Sequence, residues 1–122
     1  MKITELFTVE AHDKGAEMEI VNPNTGKPSG VFLTLAGMDS KAYADAEKSE
    51  RNAEIKRSRW EPRSAEEDDD AKIARIVACT IGWRGTDEPF SREAVENLYR
   101  NSPPVMRQAF IFIHGPENFR RD

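Results

Sequence analysis

The sequence predicts an α+β fold, in which an N-terminal β-hairpin precedes a predominantly α-helical part of about four helices. Strand-forming residues are concentrated before residue 37, in two runs separated by a cluster of Pro, Asn and Gly that favours a turn. After residue 38, apolar residues recur at helical spacing in segments that lack Gly and Pro. Strands first and helices later are typical of the α+β class. A chain of 122 residues fits one domain with a modest core.

The first segment of the chain, residues 1–15, has no clean apolar period, although it includes Ile3, Leu6 and Phe7. We expect a flexible arm here, with a short extra strand or a partner-dependent segment as the alternatives. The remainder, residues 16–122, is expected to form a single α+β domain.

Residues 16–36 are predicted to form the β-hairpin. Met18 and Ile20 alternate with glutamates in the first run, and Leu33 and Leu35 recur at every second position in the other. Each strand therefore has an apolar face. Because a hairpin is only marginally stable alone, this face must lie on the helical part.

Residues 39–60 are predicted to form a charged helix. The segment contains neither Gly nor Pro, and it begins with two good N-cap residues, Asp39 and Ser40. Its few large apolar residues include Tyr43 and Trp60, so the helix buries little surface within one copy. We therefore expect it to contact another subunit or a partner.

Residues 64–122 are predicted to form the helical half of the domain. Ser64 and Glu67 have the spacing of a capping box, and apolar residues recur at helical spacing as far as Ile81. Gly82 then supplies a stop. The first helix of this half is thus expected to run through Ile81 and to end in a turn.

The turn after that helix forms what we call the structural corner. Ser91 is placed to cap the next helix, and Phe90 is placed to contact Val95 as a hydrophobic staple. The corner consists of Gly82, Trp83, Phe90, Ser91, Val95 and Leu98.

A last helix is predicted to follow Ser102, because the two prolines after it suit a first helical turn. Its second half is apolar nearly all round. Either the preceding helices and the hairpin enclose these side chains, or part of them forms a self-association site. The candidate surface for a partner or a second copy, drawn from the charged helix and this last helix, consists of Tyr43, Lys48, Arg51, Lys56, Trp60, Phe110, Ile111 and Phe112.

The sequence offers no constellation for catalysis, a cofactor or a metal. Cys79 lies among apolar residues, where a thiol is typically an inert core group, and His12 and His114 lie in unrelated contexts. The acidic run fails as a calcium loop, because Asp68 as the first ligand would require Gly at position 73 and Glu at position 79. We predict a protein that is not an enzyme and binds no cofactor or metal.

A basic cluster around an aromatic residue suggests an alternative, nucleic-acid site, since this composition suits phosphate contact and base stacking. The net charge of -4 and the acidic run beyond the cluster argue against it. Cations near a helix C-terminus also have a structural explanation. The cluster consists of Lys56, Arg57, Arg59, Trp60 and Arg63.

Two motifs resemble the tail assembly chaperones of long-tailed bacteriophages. A Gly-x-Asp-Ser-x-x-Tyr motif spans residues 37–43, and an Ile-Gly-Trp, Pro-Phe-Ser and Asn-Leu series spans residues 81–98. A Ser-Pro step before the last helix and an Asn-Phe pair near the C-terminus also fit this resemblance.

The resemblance implies a nonenzymatic assembly factor, several copies of which bind the helical tape measure protein and keep it soluble until tail tube subunits polymerise around it. For a longer, frameshifted form it implies contact with tail tube protein. We expect a homo-oligomer in the cytoplasm of a bacterial host, with no signal peptide or membrane span. The alternative function is a small DNA-binding or host-factor-binding phage regulator.

Overall fold

A three-stranded antiparallel sheet and five α-helices make up the part of the chain, residues 1–56 and 64–120, that the computed structural model describes. This architecture confirms the α+β class and the early hairpin. Two short 3-10 helices, Ile3–Leu6 and Pro116–Phe119, lie near the ends. The regular elements are α1 Val9–Lys14, β1 Ala16–Val21, β2 Pro28–Leu35, α2 Lys41–Lys56, α3 Ala65–Cys79, β3 Thr80–Arg84, α4 Arg92–Asn101 and α5 Pro103–Ile113.

The strands lie in the order β1-β2-β3, so β2 is central. Leu33 of β2 is opposite Met18 of β1 and opposite Trp83 of β3, which places these three side chains on the same face of the sheet. Gln108 of α5 occupies the backbone hydrogen-bonding groups at the C-terminal end of β1. The side-chain amide of Gln108 accepts a hydrogen bond from the N–H of Val21 (2.8 Å) and donates one to its carbonyl (2.9 Å).

Strand β3 corrects the sequence analysis, which extended the preceding helix through Ile81. Helix α3 instead ends at Cys79, and the chain enters β3 at Thr80 without a linker. The main-chain N–H of Ala36 donates to the carbonyl of Cys79 at 2.7 Å, and β3 pairs with β2 beyond that point. Without β3, one edge of β2 would be left with unpaired backbone groups, so this tertiary pairing outweighs the helical spacing of the apolar residues.

Helices α3 and α5 contact the sheet, while α4 contacts α3 and α5. Ser64 and Ser91 form the N-caps predicted for α3 and α4, accepting hydrogen bonds from the N–H groups of Glu67 and Ala94. The core between the layers consists of Met18, Ile20, Leu33, Leu35, Ala36, Tyr43, Ile76, Val77, Cys79, Val95, Tyr99, Val105, Ala109 and Ile113.

The segment predicted as a flexible arm contains the first 3-10 helix and α1. Residues 1–10 are all exposed, whereas His12 of α1 is buried, with 3% of its surface exposed. The His12 Nδ1 atom accepts a hydrogen bond from the N–H of Asp39 at 3.0 Å, and its ring stacks on Phe119. This contact attaches α1 to the start of α2. The division of the chain at residue 15, and the flexibility of the segment before it, stay predictions.

The position of His12 also explains why residue 37 is a glycine. A Cβ atom on Gly37 would lie 2.1 Å from the Nδ1 atom of His12, so only glycine allows the ring to approach the backbone this closely. Of the two N-cap candidates for α2, Ser40 accepts a hydrogen bond from the N–H of Tyr43, while the N–H of Asp39 is the one that binds His12.

Candidate protein-binding groove

The single cysteine of the chain, Cys79, packs in the core. Cys79 is fully buried, and burial raises the pKa of its thiol to about 11, which keeps it protonated at neutral pH. Within residues 1–56 and 64–120, no three His, Cys, Asp or Glu side chains are grouped so that they could hold a metal ion. No described helix is both long enough and apolar enough to span a membrane.

His114 and Tyr43 form a hydrogen-bonded pair that joins the last helix to α2. His114 Nδ1 lies 2.8 Å from the carbonyl of Phe110, so this nitrogen carries the proton and Nε2 accepts from the Tyr43 hydroxyl at 2.9 Å. Burial is the main reason that the pKa of Tyr43 is raised. Both polar groups are therefore used in holding the helices together.

The candidate surface predicted from the sequence does not form one continuous exposed face. Tyr43 is buried, with 8% of its surface exposed, and Phe110 is half-buried between His114 and the ammonium group of Lys72. Phe112 is half-buried against Phe119, and Ile111 is 69% exposed. Three other members of the candidate surface are exposed on α2, namely Lys48, Arg51 and Lys56.

Trp60, the eighth member of that surface, lies outside the described residues, as does the basic cluster beyond Lys56. The nucleic-acid alternative therefore stays a prediction.

The structural corner is held by Trp83, a half-buried residue of β3. Its indole N–H donates a hydrogen bond to the carbonyl of Glu88 at 2.9 Å, and Phe90 meets its ring edge-on, with 5.5 Å between centroids. The loop after β3 is thereby folded back onto Trp83. Val95 is fully buried, while the predicted staple between Phe90 and Val95 stays a prediction.

An open groove of about 460 Å³ lies between the hairpin end of the sheet and α4. We call it the sheet–α4 groove. Its apolar floor comes from the sheet, from α4 and from the start of α5, and consists of Ile20, Pro23, Val31, Trp83, Ala94, Leu98 and Val105. Its polar rim consists of Asn22, Ser29, Thr86, Glu88, Asn97, Asn101 and Ser102.

The sheet–α4 groove is nearly free of charge. Glu88 is the only charged residue among the described residues that line it, although charged residues make up 33% of the chain. On its α4 side, the Asn101 side chain donates to the carbonyl and to the side-chain oxygen of Asn97. An apolar floor that includes a tryptophan, surrounded by uncharged polar groups, is typical of a site that binds another polypeptide.

The sequence analysis missed this groove. The sequence analysis placed Trp83 and Leu98 in the structural corner, and no pattern joined them to Asn22 or Val31, because the groove walls come from distant parts of the chain. The one available signal was the spacing of Asn97 and Asn101, which places two amides on one face of α4 beside Leu98.

The groove is thus a candidate site for another polypeptide. A model of the phage tail assembly chaperone family matches residues 13–111, and this chain belongs to that family. Membership indicates a nonenzymatic role and interaction with phage tail proteins. Comparisons with curated proteins and with solved structures found no match. The matched range contains all residues that line the sheet–α4 groove and leaves residues 1–12 outside.

Proposed function

We propose that this protein binds the tape measure protein of a phage tail and keeps it soluble until tail tube subunits polymerise around it. The observation that carries this proposal is the sheet–α4 groove, an uncharged apolar surface on a highly charged chain. The family match supports the same role.

A long helical client exposes apolar side chains at every third or fourth position, and such a stripe fits an apolar groove. Trp83, Val31 and Leu98 would contact these side chains, while the amides of Asn97 and Asn101 face the polar flanks of the client helix. Each contact removes apolar surface from water, worth about 25 cal/mol per Å² before the costs of association. We infer that many copies binding along one client would supply the avidity that a single groove lacks.

The exposed basic residues of α2 would provide a second contact, as the sequence analysis proposed. Lys48, Arg51 and Lys56 are exposed and lie outside the sheet–α4 groove. Charges at the rim of an interface mainly raise the rate of encounter and select the partner. We therefore assign the groove to affinity and the α2 surface to steering toward acidic segments of the client.

The wider parts of the proposal follow the resemblance. The protein acts without catalysis or a cofactor, in the cytoplasm of the infected or lysogenic bacterium, as a homo-oligomer. A frameshifted longer form would bring in tail tube protein.

The decisive experiment is coexpression with the tape measure protein, followed by measurement of its soluble, copurifying fraction. Asn97→Lys places a charge in the groove at an exposed helical position, and we expect it to reduce that fraction by at least tenfold. Glu93→Gln raises the net charge by the same amount at an exposed position of α4 that does not line the groove, and serves as the matched control. Equal client recovery with both variants would contradict the groove as the binding site.

A different result would favour the regulator. Salt-sensitive retention of the protein on DNA, with no effect on the solubility of the tape measure protein, would replace the chaperone proposal.

A further inference from the structure

We propose that the sheet–α4 groove also binds a second copy of this protein, through residues 1–8 of that copy, which we call the N-terminal segment. This contact would link copies in the absence of client. It rests on the proposed function only in that the client and the N-terminal segment would then compete for one groove.

The N-terminal segment presents an unusual amount of apolar surface. Among the described residues, eleven large apolar side chains are exposed, and four of these belong to residues 1–8. A small protein rarely leaves so much apolar surface in one stretch unless it binds something. The four are Met1 at 96%, Ile3 at 71%, Leu6 at 58% and Phe7 at 57% exposed.

Two clefts, both open to solvent, lie between this segment and the body of its own copy. One, of about 610 Å³, lies between residues 6–10 and the start of α2 at Lys41. The other, of about 350 Å³, lies between residues 5–8 and the C-terminal residues Pro116 and Phe119. Water therefore reaches the segment on these sides as well, and its own copy covers only part of it.

The segment and the groove are complementary in chemistry. Ile3 and Leu6 are three positions apart, on the same 3-10 helix, and therefore project from one side of it. Such a pair fits the apolar floor formed by Trp83, Val31 and Leu98. Lys2 is positive, and the one charged residue among the described residues that line the groove, Glu88, is negative and follows Asp87.

The geometry of the sheet favours a second copy as the donor. The N-terminal segment joins the sheet at Ala16, through α1, whereas the groove lies at the opposite end of β1, at Ile20 and Asn22. The six residues of β1 span about 20 Å. An eight-residue segment reaches at most about 26–29 Å, so within its own copy most of this length would be used in running back along β1. Little of the segment would then remain to enter the groove, whereas the segment of a second copy has no such distance to cover.

A contact in which the segment of one copy enters the groove of the next is heterologous. A pair joined in this way still has one groove and one segment that can bind further copies, so the contact is repeated until a ring closes or a chain grows. This property provides a sharp test, because a copy without a functional segment and a copy without a functional groove should complement each other.

The test measures molecular mass by analytical ultracentrifugation at one fixed protein concentration. Ile3→Asp with Leu6→Asp inactivates the segment at two exposed positions. Ile55→Asp with Ile111→Asp makes the same change at two exposed positions outside the segment and the groove, and is the matched control. Asn97→Lys inactivates the groove, and Glu93→Gln, which changes the net charge by the same amount outside the groove, is its control. Glu88→Lys is a second groove variant, which leaves α4 unchanged.

We expect the unmodified protein and both controls to form assemblies of several copies. The segment variant and the two groove variants should each sediment as the 13.8 kDa monomer. An equimolar mixture of the segment variant with a groove variant should form a species of twice that mass, and nothing larger.

Three results would overturn the inference. They are a monomeric unmodified protein, assemblies in the variants equal to those of the unmodified protein, and a mixture that stays at the monomer mass. No client is present in these measurements. The self-association inference can therefore fail while the tape measure experiment succeeds, and the tape measure experiment can fail while self-association is observed.

Discussion

The indole N–H of Trp83 donates a hydrogen bond to the main-chain carbonyl of Glu88, 2.9 Å away. This one bond fixes a wall of the sheet–α4 groove, because Trp83 lines its floor and Glu88 lines its rim. The corner that the sequence analysis treated as structural therefore also shapes the groove.

Trp83→Ala should lower the free energy of unfolding by about 2–3 kcal/mol, which is less than for a fully buried tryptophan because the side chain is half-buried. Trp83→Phe keeps an aromatic ring opposite Phe90 and loses mainly the hydrogen bond, at a cost of about 1 kcal/mol. Urea unfolding of the three proteins measures both values. A Trp83→Ala variant as stable as the unmodified protein would show that the corner does not support the fold.

Tyr99 should make the protein sensitive to alkali. Its hydroxyl donates to Thr80 Oγ1 at 2.6 Å, because the Thr80 proton is used on the carbonyl of Ile76. Burial is the largest cause that raises the pKa of Tyr99, from 10.0 to about 12. The unfolded chain therefore loses this proton first, and the stabilisation present below pH 10 is lost as the pH rises to about 12.

A pKa that is about two units higher in the folded protein than in the unfolded chain corresponds to a loss of about 3 kcal/mol in the free energy of unfolding at most. Tyr99→Phe removes this contribution, so its free energy of unfolding should fall less steeply between pH 10 and pH 12 than that of the unmodified protein. At pH 7, loss of the hydroxyl should cost about 1 kcal/mol. Parallel pH profiles for the two proteins would contradict the role assigned to Tyr99.

Gly37 and His12 should be coupled energetically. Gly37→Ala introduces a Cβ atom where the His12 ring lies, which should displace α1 and cost about 1–3 kcal/mol. In His12→Ala the space is vacated, so adding Gly37→Ala should then cost much less. The double-mutant cycle should give a coupling of at least about 1 kcal/mol. Additive effects would mean that α1 is not held by this contact.

Cys79 should react slowly with disulfide reagents at neutral pH. Its pKa is raised from 9.0 to about 11, mainly by burial, which reduces the thiolate fraction about 100-fold before access is considered. Modification by an aromatic disulfide reagent, followed by absorbance, should therefore be at least 100-fold slower in the folded protein than in urea. Rapid modification of the folded protein would place Cys79 outside the core.

Charge reversal on α2 should weaken client binding and leave the fold intact. Replacing Lys48, Arg51 and Lys56 with Glu should reduce the rate of client association several-fold at low salt, with a smaller effect at high salt. Unfolding curves should be nearly unchanged, since the three side chains are exposed. A control of equal net charge reverses three other exposed cations, Lys14, Lys27 and Arg107.

If both triple variants associate with the client at the same rate, α2 is not a contact surface. The comparison separates a local effect of α2 from the general effect of a more acidic protein.

The sequence predicts the features that depend on neighbouring residues. The hairpin follows from alternation around Met18 and Leu33, and the starts of α3 and α4 follow from Ser64 and Ser91, whose hydroxyls accept bonds from nearby N–H groups. Each of these signals is local, so it remains readable without knowledge of the tertiary fold.

Strand β3 could not be predicted in this way. Ile81 continues the helical spacing of α3, and the force that ends the helix at Cys79 is the pairing of β2 with a distant segment. The sheet–α4 groove has the same origin, since Val31, Trp83 and Leu98 each have the local pattern of a core residue. Only the spacing between the hairpin and α4 shows that these side chains are left partly uncovered.

The bidentate amide of Gln108 at Val21 has a consequence for growth of the sheet. An incoming strand would have to displace that side chain before it could hydrogen-bond to this end of β1. The opposite edge of the sheet is β3, a strand of five residues, and its pairing with β2 shifts in register between Thr34 and Leu35 of β2. Short and irregular borders discourage edge-to-edge polymerisation. Both borders of the sheet thus disfavour the growth of amyloid-like fibres from copies of this chain.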